Sequence, residues 1–274
     1  MATTANLNRR LEGLNLTRAD LPTLTEAREL WAAMRVQYGF APNGGNTNLL
    51  AEGANVKIAK NKVRTWTLTL TPADLSLRWN VCSWSTAQCR AACVMWTAGR
   101  QYHSVRQGRL VRTAFLAEHP LAFLAILTAE IDRRERKGLT FGLRLNVASD
   151  LRWENIAPWL FEGSNVRAYD YTKAPARLRN APSNYRLTYS HSERWTDDMV
   201  RATVAAGNNV AMVFDCAKHE TPATFLGIPV IDGDLSDYRY ADPQGVIVGL
   251  AAKGAAKAMA SGEGQFVSIG RKAA

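Results

Sequence analysis

The spacing of apolar residues predicts three long helices in the first half of the chain. Between residues 24 and 38, apolar side chains recur every three or four positions, as on the buried face of an amphipathic helix. Two more helices are predicted at 104–118 and 121–137, because Ser104 begins a capping-box sequence and Pro120 suits the first position of a helix.

Beyond residue 61, short runs of β-forming residues alternate with helical segments. The predicted strands are 62–70, 141–147, 166–171, 185–189, 209–214, 229–231 and 246–250, and shorter helices are predicted at 153–161 and 197–206. Several strands are apolar on both faces, and right-handed crossovers then favour a parallel arrangement. We therefore expect an α/β fold: a TIM-like (β/α) barrel of six to eight strands, complete or incomplete, over residues 61–274, with an N-terminal arm and helix over residues 1–60.

The composition is that of an ordinary globular protein. Hydrophobic residues make up 47% and charged residues 21% of the 274-residue chain, which excludes disordered, collagenous and fibrous classes. The longest apolar run, 121–127, is about a third of the ~20 residues that a membrane span needs, and residues 1–16 lack the apolar segment of a signal peptide. We therefore expect a cytoplasmic protein with no membrane partner.

The chain is basic. Lysine and arginine number 34 against 24 aspartates and glutamates, which gives a net charge of +10. This balance favours a polyanionic partner such as nucleic acid, although a merely solubilising surface stays open. Basic residues also alternate with aromatic ones between residues 144 and 195, a combination suited to phosphate contacts and base stacking. The oligomeric state stays open.

Three of the four cysteines follow the first predicted strand. Cys82, Cys89 and Cys93 lie in the loop 79–100, with six and then three residues between them. Their thiolates could share one zinc ion or hold three corners of an iron–sulfur cluster, and three structural thiols are the third alternative. A zinc ion would need a fourth ligand, for which the candidates are His103, His191 and Cys216.

Polar residues follow each of the predicted strands, where the active sites of (β/α) barrels lie. Aspartates at such positions could act as a general base, a nucleophile or magnesium ligands, or they could cap turns. The candidate catalytic residues are Asp150, Asp215, Asp232 and Asp234. The candidate substrate-binding residues are Asp170, Lys173, His191, Arg152 and Lys253.

Several of these segments resemble a family encoded by phages and mobile plasmids and labelled gene-product-88-like. The resemblance covers roughly residues 60–267 and implies mobile-element biology in a host cytoplasm, without an assigned reaction. The segments that support it are the cysteine loop, 145–150, 169–173, 184–189, 230–234 and 245–249.

Two further resemblances suggest chemistry. The segments 210–215 and 245–250 resemble tRNA-guanine transglycosylases and their phage relatives that insert 7-deazaguanines into DNA. This resemblance implies that Asp215 reads the guanine edge and that Asp150 or Asp234 acts as nucleophile or acid/base. The early cysteines are similar in position to those of radical S-adenosylmethionine enzymes, which implies an iron–sulfur cluster.

Together, these observations predict a phage-type enzyme that modifies a nucleic-acid base, with DNA favoured over RNA. Guanine exchange for a 7-deazaguanine is the reaction that the transglycosylase resemblance implies. A duplex base would have to be extruded to enter such a site. The alternatives are a radical S-adenosylmethionine enzyme and a non-catalytic DNA-binding or host-interaction protein.

Overall fold

The computed structural model describes residues 5–41, 47–53, 57, 61–73, 75–96, 98–174, 177 and 181–270. Its helices are α1 (Leu7–Glu12), α2 (Leu24–Gln37), α3 (Ala87–Ala91), α4 (His103–Glu118), α5 (Pro120–Glu135), α6 (Trp153–Ile156) and α7 (Asp197–Ala205). Its strands are β1 (Ala5–Asn6), β2 (Ala51–Glu52), β3 (Thr65–Thr67), β4 (Trp79–Asn80), β5 (Phe141–Arg144), β6 (Val166–Thr172), β7 (Tyr185–Ser190), β8 (Asn209–Phe214), β9 (Thr224–Phe225), β10 (Ile228–Asp232), β11 (Ile247–Ala251) and β12 (Val267–Ser268).

The helix predictions are confirmed in position, with two local corrections. Pro120 is the first residue of α5, as expected from its fixed φ and missing N–H. The capping box at Ser104 is wrong, because α4 begins at His103 and no side chain caps it. The predicted helix 153–161 is divided into α6 and a 3-10 turn that begins at Pro158, since proline cannot continue an α-helical hydrogen-bond ladder.

The seven predicted strands, together with the short strand β12, form the parallel part of one ten-stranded sheet. Its order is β2-β3-β5-β6-β7-β8-β11-β10-β9, and β12 pairs with β8. The short strands β2 and β9 pair antiparallel at the two ends of this order, and the seven strands between them are parallel. Parallel strands run in the same direction, with a crossover connection between them, so all seven carboxyl ends lie on one edge of the sheet.

One face of the sheet is covered by helices. Leu143, Val166 and Ala168 on this face belong to the same buried cluster as Phe123 of α5 and Trp31 of α2. The cluster therefore includes side chains from residues 1–60 and from the strands alike. Farther along the sheet, α7 covers β8 in a second, smaller cluster.

The other face is covered by the connection between β10 and β11, residues 233–246, which we call the crossover segment. Because β11 pairs between β8 and β10, the chain steps backwards across the sheet after β10, and a right-handed connection must then run over the opposite face. Tyr238 of this segment packs edge-on against Tyr169, with ring centroids 5.4 Å apart. Gly142 permits this approach, because a Cβ there would lie 2.3 Å from the Thr65 Oγ1 and 3.2 Å from Tyr238.

The two ends of the sheet approach each other without pairing in the described part of the chain. Ser236 Oγ donates to Asn61 Oδ1 at 3.1 Å, and Lys57 Nζ donates to the Gly233 carbonyl at 3.2 Å. These contacts join the residues before β3 to the start of the crossover segment. The described strands form an open order rather than a ring, so closure into a barrel stays a prediction.

Within the described ranges, no single helix is long and apolar enough to cross a membrane. Helices α4 and α5 reach that length and apolarity only when they are taken together, and the chain bends by 116° between them.

Candidate functional site at the carboxyl edge

Ligands of open α/β sheets bind outside the carboxyl ends of the strands, at the point where the strand order reverses. Here the strand order reverses beyond β8, because β11 lies between β8 and β10 in the sheet. The edge formed by the carboxyl ends of the parallel strands and their following loops is called the carboxyl edge. It holds most of the predicted site residues: Asp150, Asp170, Lys173, His191, Asp215, Asp232, Asp234 and Lys253. They fall into two groups, one after β5, β6 and β7 and one after β8, β10 and β11.

The first group is centred on a buried arginine, and we call it the arginine network. The Asp150 carboxylate accepts hydrogen bonds from Thr172 Oγ1 and the Lys173 backbone N–H, both at 2.8 Å, and from Arg177 Nη1 at 2.9 Å. Arg177 also binds both oxygens of Glu154, at 2.8 and 2.9 Å. Each carboxylate thus has a charged partner inside the protein.

Asp170 completes this network through a phenol. Its Oδ1 accepts from the Asn146 N–H at 2.8 Å, and its Oδ2 accepts from the Tyr185 hydroxyl at 2.7 Å. That hydroxyl accepts in turn from Arg177 Nη2 at 2.8 Å. Burial raises the pKa of Asp170 to about 6, although Arg144 and Arg177 act in the opposite direction. These contacts connect β5, β6 and β7 and leave both oxygens of Asp170 occupied.

Lys173, Ser190 and His191 lie beside this network, at the ends of β6 and β7. Lys173 Nζ donates to Ser190 Oγ at 2.5 Å and lies 5.7 Å from the ring centroid of Phe266. His191 is 5% exposed, and burial, followed by the positive charge of Lys173, lowers its pKa to about 4. The imidazole is therefore neutral at pH 7. Its Nδ1 has no hydrogen-bond partner among the described residues.

The predicted cysteine ligands are neighbours, but Cys82 is already engaged. Its Sγ accepts from the Ala73 N–H at 3.3 Å and donates to the Ala148 carbonyl at 3.4 Å. Burial, with smaller contributions that include the thiols of Cys89 and Cys93, raises the pKa of Cys82 to about 12. Burial also raises the pKa of Cys93.

Metal binding requires the thiolate form of each cysteine, which a bound ion itself stabilises. In the part of the chain that the structure describes, no group of three or more histidine, cysteine, aspartate or glutamate side chains is placed to hold one ion. All four cysteines are free thiols. The zinc or iron–sulfur site stays a prediction that these contacts do not support.

The second group is centred on Asp234, and we call it the lysine cluster. Asp234 Oδ1 accepts from Lys253 Nζ at 2.5 Å and from Lys57 Nζ, and its Oδ2 accepts from the Ala251 N–H at 3.0 Å. Burial opposes ionisation, but the hydrogen bonds from the two lysines outweigh it and lower the pKa of Asp234 to about 2. Burial lowers the pKa of Lys57. At neutral pH, Asp234 is therefore an ionised carboxylate that lies between the Nζ atoms of two lysines.

The other aspartates of this group support the same loops. Asp232 Oδ1 accepts from the Asp234 N–H at 2.7 Å, and its Oδ2 lies 2.6 Å from His219 Nδ1. Asp215 Oδ2 accepts from Ser261 Oγ at 2.8 Å. The predicted residues Asp215, Asp232 and Asp234 thus come to the ends of β8 and β10, away from the arginine network.

Cys216 follows Asp215 and lies within the electrostatic influence of both Asp215 and Asp234. Burial is the main reason that the pKa of its thiol is raised, and the charges of Asp215 and Asp234 raise it further. The aspartates after β8 and β10 therefore act on one common neighbour. The fourth cysteine belongs to this group rather than to the other three thiols.

Arg152 belongs to neither group. Its Nη2 binds Glu12 of α1, and its guanidinium lies 5.3 Å from the ring centroid of Trp84. Its backbone N–H donates to Asn8 Oδ1 at 2.7 Å. These contacts attach α1 to the loop after β5, so the predicted substrate contact of Arg152 stays a prediction.

Sequence reasoning did not identify the roles of two residues that organise the edge. Arg177 is one of the basic residues between 144 and 195 that the sequence assigns to phosphate contacts, whereas the structure binds it to Asp150 and Glu154 inside the fold. Lys57 precedes the first predicted strand and reaches Asp234 across 177 positions of sequence, so no local pattern could have identified it.

Comparison with known proteins gives a family match. Residues 39–264 match the family model described as Gene product 88, and this range includes both groups of the carboxyl edge. The chain belongs to the Gene product 88 family. No curated protein and no solved structure matches it, so the likeness to guanine transglycosylases and to radical S-adenosylmethionine enzymes gains no support.

Proposed function

We propose that this member of the Gene product 88 family is a phage-type enzyme that modifies a base of nucleic acid, DNA rather than RNA, at the carboxyl edge. The observation that carries the proposal is Asp234, a carboxylate ionised at neutral pH that lies where the strand order reverses. An ionised aspartate is the group that base exchange requires, because it can attack the sugar C1′ atom.

The reaction can be written in two balanced steps. A carboxylate oxygen of Asp234 forms a bond to C1′ as the bond from C1′ to guanine breaks, and guanine leaves with the electron pair and takes up a proton from water. The incoming base then attacks C1′, loses its proton and displaces the carboxylate. In this scheme His191, a neutral imidazole, is a candidate proton acceptor elsewhere on the same edge.

Lys253 offers a way to release the nucleophile. The side chain of Lys253 is 44% exposed, whereas those of Lys57 and Asp234 are 20% and 0% exposed. A backbone phosphate near the edge can therefore attract the ammonium of Lys253 away from Asp234, while Lys57 stays in place. One lysine then binds the substrate, and the other keeps the carboxylate ionised.

The charge of the protein favours the same class of substrate. The carboxylates of Asp150, Asp170 and Asp234 all have internal partners. With a net charge of +10, the chain attracts phosphates over a distance set by the salt concentration. The base itself would have to be single-stranded or extruded to reach the edge.

Nucleoside mass spectrometry of DNA from cells that express the full chain tests the proposal. Wild-type protein is expected to produce a modified nucleoside, and Asp234→Asn, which keeps the volume and removes the charge, is expected to abolish it. Asp198→Asn is the matched control, because this aspartate is 93% exposed and lies in α7. A folded Asp234→Asn variant that makes the same product as wild type would refute the proposed reaction.

A second candidate is a non-catalytic DNA-binding protein. It is favoured by the arginine network, whose carboxylates have all their partners within the fold and need no substrate. This function predicts salt-dependent DNA binding that survives Asp234→Asn, with no new nucleoside. Fluorescence anisotropy with labelled DNA at several salt concentrations, alongside the mass spectrometry, separates the two.

A further inference from the structure

The carboxyl ends of β5 and β6 expose polar side chains on the face that the crossover segment covers. Successive side chains of a strand lie on opposite faces of a sheet, and the paired residues Leu143 and Ala168 belong to the helix-covered cluster. Arg144 and Tyr171 therefore lie on the face of the crossover segment. Tyr169, nearer the middle of this face, is buried, whereas Arg144 and Tyr171 are partly exposed. We call the end of the face formed by Arg144 and Tyr171 the polar opening.

Arg144 has hydrogen-bond donors that the fold does not use. Its Nε is buried without a partner, and no hydrogen bond or ion pair joins its guanidinium to the part of the chain that the structure describes. The guanidinium carbon lies 5.2 Å from the ring centroid of Tyr171, which keeps the group at the polar opening. Because unmet donors are costly away from water, this arginine indicates hydrogen-bond acceptors from outside the described chain.

The charges around Arg144 show which kind of acceptor is missing. Burial opposes its charge, but nearby tyrosines and the carboxylates of Asp170 and Asp237 outweigh burial and raise its pKa. Both oxygens of Asp170 accept from other donors, the Asn146 N–H and the Tyr185 hydroxyl. The carboxylate of Asp170 therefore balances the charge of Arg144 without occupying its donors. A guanidinium with negative charge nearby but without acceptors favours a neutral pair of acceptors over a further anion.

The polar opening adjoins the lysine cluster through Asp237. The charge of this aspartate acts on both Arg144 and Tyr171. Its Oδ1 lies 3.7 Å from Lys57 Nζ, and Lys57 also donates to Asp234. The unused donors of Arg144 therefore lie near the carboxylate to which the proposed reaction is assigned.

We propose that Arg144 recognises a guanine base by donating to its O6 and N7 atoms. These atoms are a neutral pair of acceptors, and the guanidinium fork matches both at once. Adenine has a donor in place of O6, and pyrimidines have no N7, so the same contact selects against the other bases. The inference rests on the proposed function, because it names the base that the enzyme would take up.

Fluorescence anisotropy with short single-stranded oligonucleotides tests this contact. The oligonucleotides are runs of thymines with one central guanine, hypoxanthine, 7-deazaguanine or adenine. Wild-type protein is expected to prefer guanine and hypoxanthine, which both have O6 and N7. It is expected to bind 7-deazaguanine, which lacks N7, about fivefold more weakly and adenine about tenfold more weakly.

Substitutions assign the preference to one side chain. Arg144→Met is expected to bind the four oligonucleotides with similar affinity, and Arg144→Lys, which keeps the charge but not the fork, is expected to lose the preference for N7. Arg167→Met is the matched control, because Arg167 lies near the amino end of β6 and donates to the Ser164 and Val166 carbonyls. This variant is expected to keep the preference of wild type.

The outcomes separate this inference from the proposed function. Wild-type protein that binds all four oligonucleotides equally or binds none, or a folded Arg144→Met variant that keeps the preference, would overturn the role of Arg144. If the preference depends on Arg144 but cells that express the protein contain no modified nucleoside, guanine recognition stands and the proposed reaction fails. If a modified nucleoside forms without any such preference, the reaction stands and guanine recognition by Arg144 fails.

Discussion

The arginine network and the lysine cluster lie on one edge of the sheet, but water reaches them to different extents. The side chains of Arg177 and Glu154 are 0% and 2% exposed, whereas Lys253 is 44% exposed above a fully buried Asp234. The pKa values of a central carboxyl group in each, Asp170 and Asp234, are shifted in opposite directions. The pKa of Asp170 is raised to about 6, and that of Asp234 is lowered to about 2.

The difference shows which contacts keep a buried carboxylate ionised. Asp170 accepts from a backbone N–H and a phenol, both neutral donors, and burial determines the direction of its pKa shift. Asp234 has two ammonium groups in direct contact, and they outweigh burial. The network is therefore suited to hold the loops together, while the cluster keeps a charged group near water. This contrast is the reason that the proposed chemistry is assigned to Asp234.

The largest expected effect is the loss of the central arginine. Arg177→Met leaves Asp150 and Glu154 buried without a positive partner, which is expected to reduce the free energy of unfolding by about 3–5 kcal/mol. Urea denaturation followed by circular dichroism measures it. Arg201→Met, which breaks an exposed pair with Asp198, is the control and is expected to cost less than about 1 kcal/mol. If the two variants lost the same unfolding free energy, the arginine network would stabilise the protein no more than an exposed ion pair does.

The next expected effect is on the pH dependence of the unfolding free energy, to which the two groups contribute with opposite signs. The pKa of Asp170 is about 6 in the folded protein against an ordinary 3.8, so the folded state binds more protons between these values. Its contribution to stability therefore falls as the pH rises from 4 to 6, by at most about 1.4 kcal/mol per pH unit. For Asp234, with a pKa of about 2, the unfolded state binds more protons, and stability falls as the pH drops from 4 to 2.

Asn variants isolate these two contributions. The stability difference between wild type and Asp170→Asn is expected to decrease from pH 4 to pH 6, whereas the difference for Asp234→Asn is expected to increase from pH 2 to pH 4. Chemical denaturation at each pH provides both curves. Slopes of the same sign in the two variants would contradict the comparison.

Local sequence patterns were enough to predict most of the elements that position this edge. The seven predicted strands are seven of the eight parallel strands that the structure describes, because alternation of β-forming runs and helices is a property of short windows; the short strand β12 was not predicted. The aspartates after β8 and β10 were identified by their positions at strand ends. The exchange of β10 and β11 in the sheet was not predictable, because strand order depends on contacts distant in sequence.

The roles of the site residues could be predicted less well from the sequence than their positions. Asp150 and Asp234 follow strands in the same way, yet one binds a buried arginine and the other two lysines. The difference depends on Arg177 and Lys57, whose partners lie 27 and 177 positions away along the chain. Pairing across such distances leaves no periodicity in the sequence.

The smallest effect concerns the two lysines that share one oxygen of Asp234. Lys253→Met is expected to cost about 0.5 kcal/mol of unfolding free energy, because its ammonium is partly exposed and Lys57 stays in contact. Lys57→Met is expected to cost more, about 1–2 kcal/mol, since this lysine is more buried. The double variant leaves a buried carboxylate without any cation, so its cost is expected to exceed the sum of the single costs by at least about 0.5 kcal/mol. Urea denaturation of the four proteins completes the cycle; strictly additive costs would mean that the lysines act on Asp234 independently, and that neither can replace the other when a substrate phosphate attracts Lys253.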